Sequence, residues 1–390
     1  MIKYILLFLI LIAFTSCQEK DDEEIKIGFT AGLTGKYSSL GGDIRDGFML
    51  GFDEINYKIN NHKVRIIQRD DKQDPKVAKN IVKEFIQKDI KLIVGNATSS
   101  MTKITVDELK GKNNFLIASV TASASEFTKK DDNFIRIQVE HNEKRYAALK
   151  KYIIKNNIKK VFYIYDNNNL NYAKGYFGFF QDILVDIGGK KFIETKTIQN
   201  GQKAIIKSLK ESSYDMILIV ANSSDTANLI QYIRINNIDE QILISGWANT
   251  NDFVEFGGKS VEGVIVSTGY DKQSKEKEYL EFVKNFNKKY NTTPSVFSLQ
   301  GYEMSQILIE NLKKTSNISE LKNYILEGKI YKGLQGYIEF DEYGDVSRDY
   351  FIMKMINGKF EKVNEWFYGA GYRTWTYDLL ITNQLLYQLS

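Results

Sequence analysis

From residue 25 onward, short runs rich in Ile, Val and Phe alternate with stretches whose apolar residues recur every 3.6 positions. The runs at 26–30, 63–69, 91–95, 115–119, 134–137, 160–165, 191–197, 215–221, 241–246 and 261–268 predict strands. The stretches at 44–58, 75–88, 144–156, 172–187, 224–236 and 275–290 predict amphipathic helices between them. A strand that must return parallel to its predecessor needs a crossover of this length, so the pattern predicts mainly parallel sheets covered by helices on both faces. A chain of 390 residues is too long for one such unit and suits two.

Local chemistry marks several boundaries. Asp74-Pro75 places an acceptor at the N-cap and a preset φ at the first helical position. Gly188-Gly189 is expected to stop a helix ahead of the strand at 191–197. Near the end, 336–341 and 350–357 read as extended, with Asp341-Glu342-Tyr343-Gly344-Asp345 as a turn, which predicts antiparallel pairing between them. The acids of that turn lack the ligand spacing of an EF-hand, so no metal is assigned to it.

The N-terminus decides the compartment. Lys3 precedes an uncharged apolar run, 5–14, too short to span a bilayer and suited to an export signal. Thr15 and Ser16 follow, then Cys17, the only cysteine of the chain. This resembles a lipoprotein signal, cleaved before the cysteine and lipidated on its thiol, with Phe14 in place of the usual Leu. Residues 1–17 are therefore expected to be signal and anchor site, and the polar, acidic 18–24 a flexible tether. No later stretch is long and apolar enough to span a membrane.

The composition excludes other classes. A single cysteine allows no internal disulfide and no cysteine-based zinc site. The two histidines, His62 and His141, lie apart in polar stretches and read as solvated. There is no phosphate-binding loop, no GxSxG elbow and no Cys/His cluster, so no enzyme activity and no cofactor are expected. The net charge of +4 comes without a basic run, so nucleic acid is not an expected partner.

A series of motifs runs in order along the body: Ile27-Gly28-Phe29-Thr30, Leu33-Thr34-Gly35-Lys36-Tyr37, Leu40-Gly41, Asp46-Gly47, and Asp53-Glu54-Ile55-Asn56. Asp70-Asp71, Asp74-Pro75, Val94-Gly95 with Ser99-Ser100, Asp166, and Tyr172-Ala173-Lys174-Gly175 follow. Gly257-Gly258-Lys259-Ser260-Val261-Glu262-Gly263 and Phe340-Asp341 with Gly344-Asp345 complete it. In order and spacing, over about 25–367, the chain resembles type I periplasmic solute-binding proteins, near the branched-chain amino acid (Leu/Ile/Val) binding proteins of ABC importers. The resemblance implies two α/β lobes joined by three hinge crossovers and closing over a ligand. Lobe 1 would take 25–140 and 269–345, and lobe 2 would take 141–268 and a closing segment, 346–367. Residues 368–390 lie beyond the resemblance, and nothing in them assigns a role.

Ligands of open α/β sheets bind beyond the carboxyl ends of the strands. By resemblance, Ser99 and Ser123 match hydroxyl residues that hold an α-carboxylate, with Ser100 beside them at a helix start. Thr121 matches a position whose carbonyl takes the ammonium. In lobe 2, Tyr172 matches a cleft tyrosine, and Asn222 and Trp247 follow strand ends. Tyr37 is expected to cover the ligand. The competing reading makes the serines helix caps and the aromatic residues core. One departure stands out. Amino acid binders of the family set a lobe 2 carboxylate against the ligand ammonium, where this chain has Ser245 or Gly246; Asp225 and Asp252 are the acids near enough in sequence to substitute.

The expected function is capture of a small polar ligand, an amino acid first, by a monomeric extracytoplasmic lipoprotein in the periplasm or at the cell surface. It would deliver the ligand to the permease and ATPase of an ABC importer, and the lipid on Cys17 would bring it to the membrane. The alternative is a sensory or scavenging lipoprotein for an amide, peptide or nucleoside-like ligand.

Overall fold

The computed structural model describes residues 24–186 and 192–363. Cys17, the export signal, most of the tether, Gly188-Gly189 and residues 368–390 lie outside the described residues.

The first half builds one sheet. Its strands are β1 (Ile25–Ala31), β2 (Lys58–Ile59), β3 (His62–Asp70), β4 (Leu92–Gly95), β5 (Leu116–Ser119) and β6 (Phe134–Arg136). Their order is β2-β3-β1-β4-β5-β6, parallel except for the short hairpin strand β2. Between them lie α1 (Ser38–Glu54), α2 (Pro75–Gln87) and α3 (Ser99–Leu109). Every residue of β4 and β5 is buried, as continuous apolar strands covered on both faces must be. Asp74 caps α2 through the N–H groups of Lys76 and Val77, with Pro75 at the first helical position.

The chain then enters a second sheet. It alternates α4 (Glu143–Lys155), β7 (Lys160–Tyr165), α5 (Leu170–Asp186), β8 (Phe192–Thr197), α6 (Gln202–Lys210), β9 (Met216–Val220), α7 (Ser223–Ile235), β10 (Gln241–Ile244), α8 (Asn251–Gly257) and β11 (Ile265–Thr268). It returns to the first lobe with α9 (Lys277–Tyr290), α10 (Val296–Leu312), α11 (Ile318–Gly328) and a small antiparallel sheet, β12 (Ile330–Gly333), β13 (Gly336–Phe340) and β14 (Val346–Ser347). Finally β15 (Phe351–Ile356) and β16 (Lys359–Lys362) join the second sheet, whose order is β16-β15-β11-β10-β9-β7-β8.

The late extended segments correct the sequence-based pairing. The strands β13 and β15 do not pair with each other; β13 pairs with β12 and β14, and β15 with β11 and β16. The chain changes lobe between them. The acids of the intervening turn serve the fold: Asp341 Oδ1 accepts the N–H groups of Tyr343, Gly344 and Asp345, and Asp345 pairs with Arg136. No group of three or more His, Cys, Asp or Glu among the described residues is placed to hold a metal.

The return of α10 explains one glycine of α1 and one of its own. A Cβ on Gly47 would stand 1.7 Å from the Ser298 carbonyl oxygen, and one on Gly301 2.3 Å from that of Ile44. Only hydrogen at these positions lets the two backbones approach this closely. Nearly every residue of α10 is buried, so it shows no polar face and no amphipathic period.

Three crossings join the lobes, at 137–142, 269–276 and 348–350, and they lie against one another. Tyr350 donates to Gln138 Oε1 (3.4 Å), and the Arg348 guanidinium covers the Tyr270 ring at 4.2 Å. Arg348 also pairs with buried Glu303 (3.2 Å), which accepts from the Tyr270 hydroxyl (2.7 Å).

Candidate functional site

The carboxyl ends of the parallel strands in both sheets face a common cleft. On the first-lobe side, β4 runs into Asn96-Ala97-Thr98 and then α3. Thr98 is the N-cap but makes no side-chain cap. Its hydroxyl exchanges hydrogen bonds with Gln73, while Ser99 Oγ accepts the N–H groups of Ser123 (3.2 Å) and Ala124 (3.3 Å). The loop after β5 is thereby fastened to the start of α3. Thr121 is fastened too, its hydroxyl donating to the Ala97 carbonyl at 2.7 Å. The first N–H groups of a helix have no intrahelical acceptor. That of Ser100 is taken from across the cleft by Asn169 Oδ1 (3.2 Å).

On the second-lobe side, β7 runs into Asp166, a fully buried carboxylate that opens the turn leading into α5. It accepts from Asn168 N–H, Gln199, Asn222 and, from the first lobe, Tyr37. Trp247 lies in the turn after β10. Its ring stacks on Tyr37 across the cleft (centroids 6.2 Å, 6° between planes) and meets Tyr172 edge-on (6.1 Å, 78°). Further bridges close the seam: Ser100 Oγ donates to Asn171 Oδ1 (2.8 Å), and Lys36 pairs with Asp225 at the rim (2.7 Å).

Between these walls lies a narrow cleft whose empty space, with the open solvent at its mouth included, is about 290 Å³. Ser99, Thr121, Tyr172 and Trp247 line it, together with Thr98, Asn169, Gln138, Ala97, Leu40 and Phe297. The remaining predicted residues lie apart from it. Ser123 turns to His141 Nε2 (3.5 Å), Ser100 to Asn171, and Asn222 caps α7 while donating to Asp225. Tyr37 closes over Trp247 and donates to Asp166. Asp225 is engaged by Lys36 and Asn222, and neither Asp225 nor Asp252 lines the cavity. Ser245 is fully buried under the turn that carries Trp247.

His141 corrects an expectation. It is 3% exposed, not solvated, and its ring packs among Tyr146, Tyr172 and Tyr176. Its Nδ1 lies 2.5 Å from the Tyr146 hydroxyl. Burial, with Arg145 and Arg136 nearby, holds its pKa well below the usual imidazole range, so it is neutral. Gly175 makes room for the ring, since a Cβ there would stand 2.7 Å from His141 Cδ2. Burial raises the Tyr172 phenol, and burial with the Asp166 carboxylate raises that of Tyr37, so both act as neutral groups.

Some lining residues escaped the sequence. Asn169 was within reach of the strand-end rule, since it closes the turn after β7. Leu40 and Phe297 were not, because their place depends on how α1 and α10 pack.

A family model described as "Periplasmic binding protein" matches residues 24–359. The chain belongs to the periplasmic binding protein family. By its fold it is a type I member, a binding protein and not an enzyme. Among its relatives, "Leu/Ile/Val-binding protein homolog 2" of Brucella abortus is 22% identical over 85% of this chain and 90% of its own length. The Leu/Ile/Val-binding protein of Escherichia coli is 23% identical over 83% and 88%. Two solved structures share the fold. A branched-chain amino acid transporter substrate-binding protein from Streptococcus pneumoniae, in complex with isoleucine, superposes with a TM-score of 0.78 at 23% identity, over 87% of this chain and 98% of its own. A solute-binding protein from R. palustris in complex with benzoate gives 0.79 at 16% identity, over 87% and 96%. Membership in this periplasmic binding protein family places the chain outside the cytoplasm, and no helix among the described residues is long and apolar enough to cross a membrane.

Proposed function

We propose that the chain is the solute receptor of an ABC importer, held outside the cytoplasm by lipid on Cys17. It captures a small carboxylate-bearing solute between its lobes and passes it to a permease and ATPase. The observation that carries this reading is a cavity walled by both lobes, with Ser99 and Thr121 on one side and Tyr172 and Trp247 on the other. A solute there touches both lobes, so binding and closure are one event, and a partner that recognises the closed form recognises the loaded form. The start of α3 and the Ser99 hydroxyl supply donors for a carboxylate. Amino acids are the first solutes to try, since the relatives named above carry Leu/Ile/Val in their names.

Thermal melting of the full chain in detergent, with amino acids, amides, short peptides and nucleosides, tests the reading. A carboxylate-bearing solute is expected to raise the melting temperature saturably, because it binds only the folded state. Ser99→Ala should weaken that solute about tenfold, the order of one charge-assisted hydrogen bond, while Ser123→Ala, whose hydroxyl faces His141, should leave it within about twofold. A chain that no solute stabilises is not a solute receptor.

For the anchor, Cys17→Ser should move the protein from the membrane fraction to the soluble extracytoplasmic fraction and abolish fatty-acid labelling. Unchanged labelling would remove Cys17 from the anchor.

A further inference from the structure

The cavity has one chemical peculiarity. None of its ten lining side chains is charged. Two acids beside the cleft are already engaged, Asp166 by Tyr37, Asn168, Asn222 and Gln199, and Asp225 by Lys36 and Asn222. The neutral acceptors are partly engaged as well. Gln138 Oε1 accepts from Gln300 (2.7 Å) and Tyr350 (3.4 Å), and Asn169 Oδ1 accepts from Ser100. An ammonium brought into a closed site needs an anionic partner or several free acceptors, and its desolvation is costly otherwise.

Positive charge, by contrast, stands behind the wall. Arg145, on the first turn of α4, is 2% exposed. Its Nη1 donates to the Val139 carbonyl (2.6 Å), and its guanidinium lies over the rings of Tyr350 (5.1 Å) and Tyr146 (5.6 Å). Among the described residues no carboxylate lies within ion-pair distance of it. The two rings connect it to the cavity wall: the Tyr146 hydroxyl lies 2.5 Å from His141 Nδ1, the His141 ring lies against Tyr172 (centroids 5.2 Å), and Tyr350 donates to Gln138. A buried cation paired only with a carbonyl and ring faces is stabilised by an anion nearby and destabilised by a second cation. The start of α3 on the opposite wall has the same preference.

We infer that the cleft selects a small monocarboxylate that carries no charged amine, seated between the start of α3 and the Tyr172 wall in front of Arg145. Leu40, Phe297 and Trp247 supply an apolar surround, so the remainder of the solute is a short aliphatic or aromatic group. This inference rests on the solute-receptor reading above and narrows its ligand.

Calorimetric titration of the full chain in detergent tests it with matched sets: leucine, isocaproate and isocaproamide, and phenylalanine, hydrocinnamate and hydrocinnamamide. In at least one set the acid is expected to bind about tenfold or more tighter than its amino acid and its amide, the difference one uncompensated charge makes. If the amino acid binds as tightly as the acid or tighter, the inference falls and the receptor reading stands. If the amide equals the acid, the cleft does not ask for an anion, and the inference falls as well. If no acid and no amino acid binds, the carboxylate reading falls with it. Arg145→Gln should bring the acid-to-amide ratio of affinities towards one, and Arg145→Lys, which keeps the charge, should retain it. An unchanged ratio in a folded Arg145→Gln protein would remove Arg145 from the account.

Discussion

Arg136→Met is expected to lower the free energy of unfolding by about 3–5 kcal/mol, the usual cost of removing one partner of a buried ion pair. Arg136 sits on β6, the edge strand of the first sheet, with no solvent exposure. Its Nε donates to Asp345 Oδ1 (2.6 Å), Nη1 to the Ala124 carbonyl (3.1 Å) and Nη2 to Thr128 Oγ1 (2.8 Å). The other Asp345 oxygen accepts the Lys129 N–H (2.8 Å). One side chain thus joins the sheet edge, the loop after β5 and the β13–β14 turn that comes just before the chain re-enters the second lobe. Methionine fills much of the volume but leaves the Asp345 carboxylate buried against a single amide. Urea unfolding reads the effect as a fall in midpoint at constant m. A change below about 1 kcal/mol would mean that the pair and its loop bonds are replaceable by apolar packing, as some buried pairs are.

Trp247→Ala is expected to weaken the bound solute about a hundredfold, the scale of an aromatic anchor at the centre of an interface. Trp247 is 5% exposed, forms part of the cavity wall and carries the Tyr37 ring on its face. Removing it deprives the solute of an apolar surface and Tyr37 of its stacking partner, so the closed arrangement loses contacts that the open one does not have. Trp247→Phe keeps a ring in place and should lose no more than about fivefold. Calorimetric titration separates the two. If Trp247→Ala binds like the parent, the indole is packing and not a binding surface.

Much of the fold was legible because short continuous runs of Ile, Val and Phe alternate along the chain with stretches of 3.6-residue apolar period, and ten strands follow from it. The helix α10 left no such trace, since a helix buried on all sides has no polar face to set a period. The antiparallel partnering of 336–341 with 350–357 was plausible from adjacency alone. It fails because Arg348 to Tyr350 carry the chain into the other lobe, an event that depends on Glu303 and Tyr270, far away in sequence. In the site, the family resemblance pointed to Ser99, Thr121 and Tyr172, and the rule that ligands gather at strand ends to Trp247; all four line the cavity. Neither could find which way a strand-end side chain turns. Ser123 turns to His141 because Gly175 lets that imidazole sit beneath α5, a three-way contact with no local signature. Asn222 follows its own local chemistry and caps α7.

The glycine seam between α1 and α10 also governs how the molecule can be assembled. The Tyr290 hydroxyl, just before α10, bonds the Asp46 carbonyl of α1 from 244 positions away. A chain emerging in sequence order therefore keeps α1 without its partner while the entire second sheet is being made. Closing so long a loop adds little to the entropic cost, which grows only logarithmically, but it places a distant contact late in the order of events. The second sheet waits in turn for β15 and β16, the last strands among the described residues. Neither lobe is a severable module: a nascent chain cut short before residue 347 leaves both halves unfinished, and one cut between there and residue 362 still lacks the closing strands of the second sheet.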